Sequence, residues 1–113
     1  MKNKFGFILV NPQLGENIGA CARSMKNFNF KKLNIVSPKF AFPNHKTKVT
    51  SVGAYDIINN AKVFKNIEEA INEFDIVISL SARRRDINKK HISFKDFKDI
   101  LKKRASSKFG FMF

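Results

Sequence analysis

The sequence has few of the residues that staple, anchor or neutralise a chain. It holds one cysteine in 113 residues, Cys21, which excludes an internal disulfide framework and any multi-cysteine zinc site. No stretch approaches the roughly 20 consecutive apolar residues that cross a bilayer. The longest apolar runs, Phe7 to Val10 and Asp75 to Leu80, are strand-sized. The start, Met1-Lys2-Asn3-Lys4, is basic, but the apolar run behind it is too short for a secretory signal and ends at Asn11-Pro12 without a small-residue cleavage site. A cytoplasmic location, no membrane and no metal are the resulting expectations. His45 and His91 have no partners at metal or catalytic spacing and receive no role. Glycine-rich phosphate signatures are missing as well. Asn11 to Gly19 lacks the G-x-G-x-x-G spacing, and no Gly-Lys-Ser/Thr follows it.

Acidic residues are scarce. Nine Asp and Glu face 22 Lys and Arg, a net charge of +13. Such an excess favours a polyanionic partner, because each phosphate neutralised releases counterions. A blander origin is composition: a chain rich in Lys, Asn, Ile and 13 Phe fits AT-rich coding sequence.

What is present is a βα alternation without repeats or low-complexity linkers, which implies one small α/β domain with a mostly parallel sheet and flanking helices. Phe5 to Val10 reads as a first strand, continuous in apolar residues and so buried on both faces. Asn11 to Glu16 is a loop. Asn17 to Phe28 reads as a helix with Ile18, Cys21, Ala22, Met25 and Phe28 on one face and Asn17 as its cap. Leu33 to Val36 is a second strand. Val49 to Asn60 reads as one helix weakened by Gly53, and Lys62 to Phe64 as a short strand. Asn66 to Phe74 is a helix with a capping-box pattern of Asn66 and Glu69. Ile76 to Leu80 is a strand, Ser81 to His91 a basic loop, and Ser93 with Asp96 opens a last helix. Phe109 to Phe113 is a final strand. Its three Phe call for cover, so the expectation is a domain over 1–113 that stops short of its full length, with a partly bare sheet.

The first loop and helix carry the most chemistry. With Ile18 set at zero, Lys26, Gly19 and Arg23 fall at about 80°, 100° and 140° around the helix, in a stripe away from the core. Gly19 leaves room for another backbone or a sugar. Arg23 offers a planar fork suited to phosphate. Asn17 sits beside free N–H groups that favour anions. An ordinary solvated arginine remains the competing reading of Arg23. Cys21 falls on the apolar face and reads as core. Lys102-Lys103-Arg104 reads as a helix end whose charge suits the dipole.

These residues carry a resemblance. Leu9-Val10-Asn11-Pro12 through Asn17-Ile18-Gly19-Ala20-Cys21-Ala22-Arg23 resembles the first motif, N-x-G-x-x-x-R, of the SpoU/TrmH class of SPOUT RNA methyltransferases, and most of all its TrmJ-type tRNA/rRNA 2′-O-ribose methyltransferases. Leu33 to Pro38, Gly53-Ala54-Tyr55-Asp56 and Ile76 to Arg85 resemble three further segments in the same order. Leu80 stands where the family usually has Thr. The second and third family motifs, which form the trefoil knot and most of the cofactor pocket, have no counterpart in these 113 residues.

The resemblance implies methyl transfer from S-adenosylmethionine to a ribose 2′-hydroxyl of tRNA or rRNA, in a homodimer. It implies Arg23 and Asn17 as catalytic, with Gly19, Lys26, Arg83, Arg84 and Arg85 toward RNA and Leu80, Ser81 and Ala82 toward the cofactor. A solvated basic loop is the competing reading of Arg83 to Arg85. It also implies impaired or absent activity in a chain without the knot. The alternative is a non-catalytic basic RNA-binding module. A flavodoxin-like nucleotide-binding domain fits less well, since the phosphate loop is missing.

Overall fold

Phe5–Val10 forms β1 at the middle of the sheet, and its apolar continuity has the expected cause: Phe5, Phe7 and Leu9 pack on one face while Gly6, Ile8 and Val10 turn to the other. The computed structural model describes residues 4–80 and 93–113, with Phe94 as backbone only. Around β1 the order of elements is α1 (Gly15–Asn27), β2 (Lys32–Val36), α2 (His45–Thr50), α3 (Tyr55–Asn60), β3 (Lys62–Phe64), α4 (Ile67–Ile71), β4 (Ile76–Ser79), α5 (Phe94–Lys103) and β5 (Phe109–Met112). The five strands are parallel throughout, in the order β3-β2-β1-β5-β4.

One face of the sheet packs under α1 and α3, where Ile18, Ala22, Met25, Leu33, Ile35, Ile57 and Ile58 are buried together. The other face is covered by α4, with Ile8, Val36 and Ala70 buried. Phe74 closes this face over two glycines paired in register, Gly6 and Gly110. A Cβ on Gly6 would lie 2.5 Å from the Phe74 ring, and one on Gly110 2.9 Å from it, so the ring occupies the space that two missing side chains leave. Asn34, buried on β2, donates to the Ala70 carbonyl at 3.0 Å and to Glu73 at 2.8 Å, which ties α4 to the sheet. Glu73 also pairs with Lys32. Burial pushes the Glu73 carboxyl up, but the hydrogen bonds from Lys32 and Asn34 and the nearby lysine charge outweigh it and hold it below its ordinary value.

Several sequence expectations are corrected. α1 begins at Gly15, not Asn17. Leu14 occupies the cap without a side-chain bond, and the Asn17 N–H donates to the Leu14 carbonyl at 3.1 Å. The single helix expected over 49–60 is two, because Gly53 sits at φ +83, where a helix cannot continue. The helix after Asn66 stops at Ile71; Asn66 accepts from the Glu69 N–H as a cap. The last strand, β5, stands where the sequence put it and lies between β1 and β4, with Phe109 and Gly110 buried and Phe113 exposed. The Ser93–Asp96 capping box is present as expected.

Candidate nucleic-acid site on the first helix

The site is built where β1 leaves the sheet. Asn11 turns the chain at φ +50, a left-handed position that asparagine tolerates, and its N–H donates to Val36 at 2.8 Å. Ser37 turns β2 out in the same way at φ +45, with its N–H on the Phe64 carbonyl at 2.9 Å. The loop from Asn11 therefore delivers α1 at the carboxyl edge of the strands, the edge where open parallel sheets bind ligands. At its far end α1 is stopped by Asn29 at φ +62, with the Phe30 N–H on Met25 at 2.8 Å and the Asn29 N–H on Lys26 at 3.1 Å, a Schellman ending.

α1 presents three sides. Its buried side carries Ile18, Ala22 and Met25. A second side meets α2 and α3. Gly15 faces Asn44 and Thr47 at the start of α2, and Gly19 lies directly under Thr50. A Cβ on Gly19 would overlap the Thr50 hydroxyl and come within 2.7 Å of Thr50 Cβ and 2.8 Å of its carbonyl carbon. The room expected above Gly19 for a sugar is thus filled by protein: the backbone that approaches is that of α2. Further along this side, Lys26 donates to Asp56 of α3 at 2.9 Å, and that hydrogen bond holds the Asp56 carboxyl below its ordinary value. Lys26 therefore has a partner that the stripe did not reveal.

The third side faces solvent and carries Asn17, Ala20, Arg23 and Ser24. Arg23 is exposed, and among the described residues no hydrogen bond or ion pair engages its guanidinium. Helix geometry puts Arg23 about 9 Å along the axis from Asn17 and about 120° around it. The two side chains flank the outer face and do not converge on one atom. The Cα–Cβ bond of Arg23 tilts toward the helix start, so its reach is directed back to the carboxyl edge.

At the same carboxyl edge, two strands along from β1, Leu80 follows β4. Its side chain is exposed and its N–H donates to Met112 at 2.8 Å. Ser81, Ala82, Arg83, Arg84, Arg85 and His91 lie outside the described residues. Leu80 offers an apolar surface and a backbone donor already engaged. Leu80, alone among the three residues expected to border S-adenosylmethionine in being described, thus supplies neither a free donor nor an enclosure, and the described residues do not fit it by themselves.

On the side of α1 away from α2, Phe7, Cys21, Met25, Phe28, Phe30 and Phe113 line an apolar hollow of about 370 Å3. Burial pushes the Cys21 thiol up, which agrees with a packing role and opposes a thiolate nucleophile. Among the described residues no group of His, Cys, Asp and Glu is placed to hold a metal, and no helix is long and apolar enough to cross a membrane.

Sequence reasoning missed Thr50 and, though it named Asp56 within a family segment, missed its pairing with Lys26; their partners on α1 lie 31 and 30 positions earlier in the chain. The left-handed turn at Asn11 had a usable signal, an asparagine closing an apolar run.

The family model described as SpoU rRNA Methylase matches residues 4–110. The chain is similar to the tRNA (cytidine-2′-O-)-methyltransferase TrmJ of Methanocaldococcus jannaschii, 42% identical over 86 residues, which are 75% of this chain and 37% of that protein. Its fold is similar to that of TrmJ from Z. mobilis ZM4, with a TM-score of 0.84 and 31% identity over 96% of this chain and 48% of that one. It is similar also to a probable methylase family protein from Haemophilus influenzae Rd KW20, with a TM-score of 0.85 and 28% identity over 100% of this chain and 46% of that one. The chain thus spans about a third of the curated relative and about half of the two solved ones.

Proposed function

The chain belongs to the SpoU rRNA methylase family, and from that premise we propose that it is the Arg23-bearing, N-terminal part of a ribose 2′-O-methyltransferase acting on tRNA. The observation that carries the reading is the exposed, unengaged guanidinium of Arg23 on the outer face of α1, within the Asn17-x-Gly19-x-x-x-Arg23 pattern. The excess of positive charge supports a nucleic-acid substrate.

A ribose hydroxyl is a weak nucleophile at neutral pH. A fixed cation lowers the barrier by holding the negative charge that grows on the 2′-oxygen, or by fixing the adjacent phosphate so that the hydroxyl is aimed. Arg23 suits either role, because its guanidinium is always charged and forks toward two acceptors. Asn17, at the opposite border of the same face, would hold another part of the nucleotide by hydrogen bonds. Gly19 serves this surface indirectly, by letting α2 seat closely beside it. Lys26, held by Asp56, would face RNA only from the rim of that surface. Arg83, Arg84 and Arg85 would add phosphate contacts, and Leu80, Ser81 and Ala82 would border the methyl donor, S-adenosylmethionine. A homodimer and a cytoplasmic location complete the proposal.

The test is complementation. Residues 1–113 are joined to the remainder of the Methanocaldococcus jannaschii relative, and transfer of labelled methyl to tRNA is measured. The chimera transfers methyl to 2′-oxygens, and Arg23→Ala in it costs about 100- to 1,000-fold in rate, the loss usual for one such charge-stabilising group. An active chimera indifferent to Arg23→Ala contradicts the proposal. The second reading, non-catalytic RNA binding, draws on one observation: the described residues keep the charge but do not enclose a donor. It predicts salt-sensitive tRNA binding with no transfer in any chimera.

A further inference from the structure

The amino-terminal edge of the sheet, opposite the edge at which α1 begins, gathers cations that the fold leaves unneutralised. Parallel register aligns the strand entries: Phe5 pairs with Phe109, and Gly6 with Lys32. Lys4 and Lys108 therefore stand level at the entries of adjacent strands, about 4.8 Å apart, and Lys31 precedes the next strand one residue out of step with them, level with Phe5. The last turn of α5 brings Lys102, Lys103 and Arg104 to the same end, and Lys102 and Lys4 line one hollow of about 220 Å3 floored by Phe5, Leu101 and Phe109. Lys4 is held there by its bond to the Ala105 carbonyl at 3.2 Å, which leaves its charge intact. The acids at this edge are Glu73, which pairs with Lys32, and Asp75, whose carboxylate accepts the Lys108 backbone N–H at 2.8 Å. Of the ion pairs, Lys32–Glu73 lies at this edge and neutralises the first residue of β2, while Lys26–Asp56 and Lys46–Glu16 lie elsewhere.

The helix dipole accounts for positive charge at the end of α5 but not for lysines at three strand entries. Like charges on adjacent strands repel, so an anion lying across these entries stabilises them. We propose that the amino edge is a second RNA-contact surface, which binds the sugar-phosphate backbone at a distance from Arg23. A row of cations at strand spacing matches a polymer whose charges recur every few ångströms, and the adjoining apolar hollow accepts the face of an unstacked base. The strands between the two edges are four to six residues long, roughly 13–20 Å, so one folded RNA reaches both. The inference rests on the reading of the chain as an RNA-acting protein.

The test is a lysine-reactivity footprint of the 113-residue chain, using an amine-acetylating reagent and mass spectrometry, with and without bulk tRNA. Lys31, Lys102, Lys103 and Lys108 become several-fold less reactive on binding, whereas Lys48 on α2 does not. A triple variant, Lys31→Gln, Lys102→Gln and Lys108→Gln, lowers the slope of log affinity against log salt by about 2–3 while the circular dichroism spectrum stays unchanged. Should that variant fold poorly, the footprint of the unsubstituted chain decides. Binding of tRNA with full reactivity at these lysines overturns this inference alone. Equal protection by poly-L-glutamate at the same charge concentration also overturns it, since the surface would then read charge and not RNA. Failure of the chain to bind tRNA at any salt overturns both this inference and the functional reading beneath it.

Discussion

Replacing Gly19 by alanine separates two roles for a bare position on α1. If the position is kept open for a ligand, a methyl group there leaves stability intact or improves it, since alanine favours a helix interior by about 1 kcal/mol over glycine. The structure predicts the reverse. The added Cβ overlaps the Thr50 hydroxyl and lies 2.7 Å from Thr50 Cβ and 2.8 Å from its carbonyl carbon. Two of these three contacts belong to the β-carbon and backbone of α2, so no side-chain rotation relieves them, and α2 has to move as a unit. Its neighbours Thr47 and Ser51 are fully buried, so the shift disturbs packed groups. Overpacking of this kind costs about 1–3 kcal/mol, here toward the upper end. Subtracting the helix gain leaves about 2 kcal/mol of destabilisation, or about 8 °C in Tm for a chain of this size. Urea or thermal unfolding followed by circular dichroism measures it, and adding Thr50→Gly to Gly19→Ala recovers part of the loss. A Gly19→Ala chain as stable as the unsubstituted one would falsify the seating of α2 on α1 and leave Gly19 open to a ligand.

Three further substitutions probe other parts of the account. The folded-state pKa of Glu73 lies below its ordinary value of 4.5, so its carboxylate stabilises the fold above that pH, and the contribution disappears as pH falls through the depressed value. Glu73→Gln therefore flattens the acid limb of the stability–pH curve; an unchanged limb shows that Lys32 and Asn34 do not hold it. Asp56→Asn removes the partner of Lys26, and since both side chains are about half exposed the stability cost stays under about 1 kcal/mol. The same change frees one cation and steepens the salt dependence of tRNA binding; a shallower dependence contradicts the geometry. Phe74→Ala empties the slot over Gly6 and Gly110 and costs about 2 kcal/mol or more by denaturant titration.

The fold was readable where one physical signal dominated. The continuous apolar run of β1 and the helical spacing of Ile18, Ala22 and Met25 each admit one burial pattern, and both elements stand close to where the spacing puts them. The Ser93–Asp96 box was readable because both partners lie within one turn. The stretch from 40 to 60 was not, because its order depends on α2 docking against glycines of another helix. The capping pair there, Asn44 with Thr47, is masked in sequence by the preceding proline. The site was legible by residue but not by role. Arg23 faces outward as expected, yet nothing local distinguishes a glycine open to a sugar from one covered by Thr50. Nothing near Lys26 announces an aspartate 30 residues away.

The central claim is that the Arg23 guanidinium is displayed for RNA and not for folding. It is tested most directly by titrating fluorescent tRNA with the unsubstituted chain and with Arg23→Ala at several salt concentrations, alongside unfolding curves. The account predicts stability within about 0.5 kcal/mol of the unsubstituted chain, together with weaker binding and a salt slope lower by about one. Unchanged affinity and slope, or a large loss of stability, contradicts it.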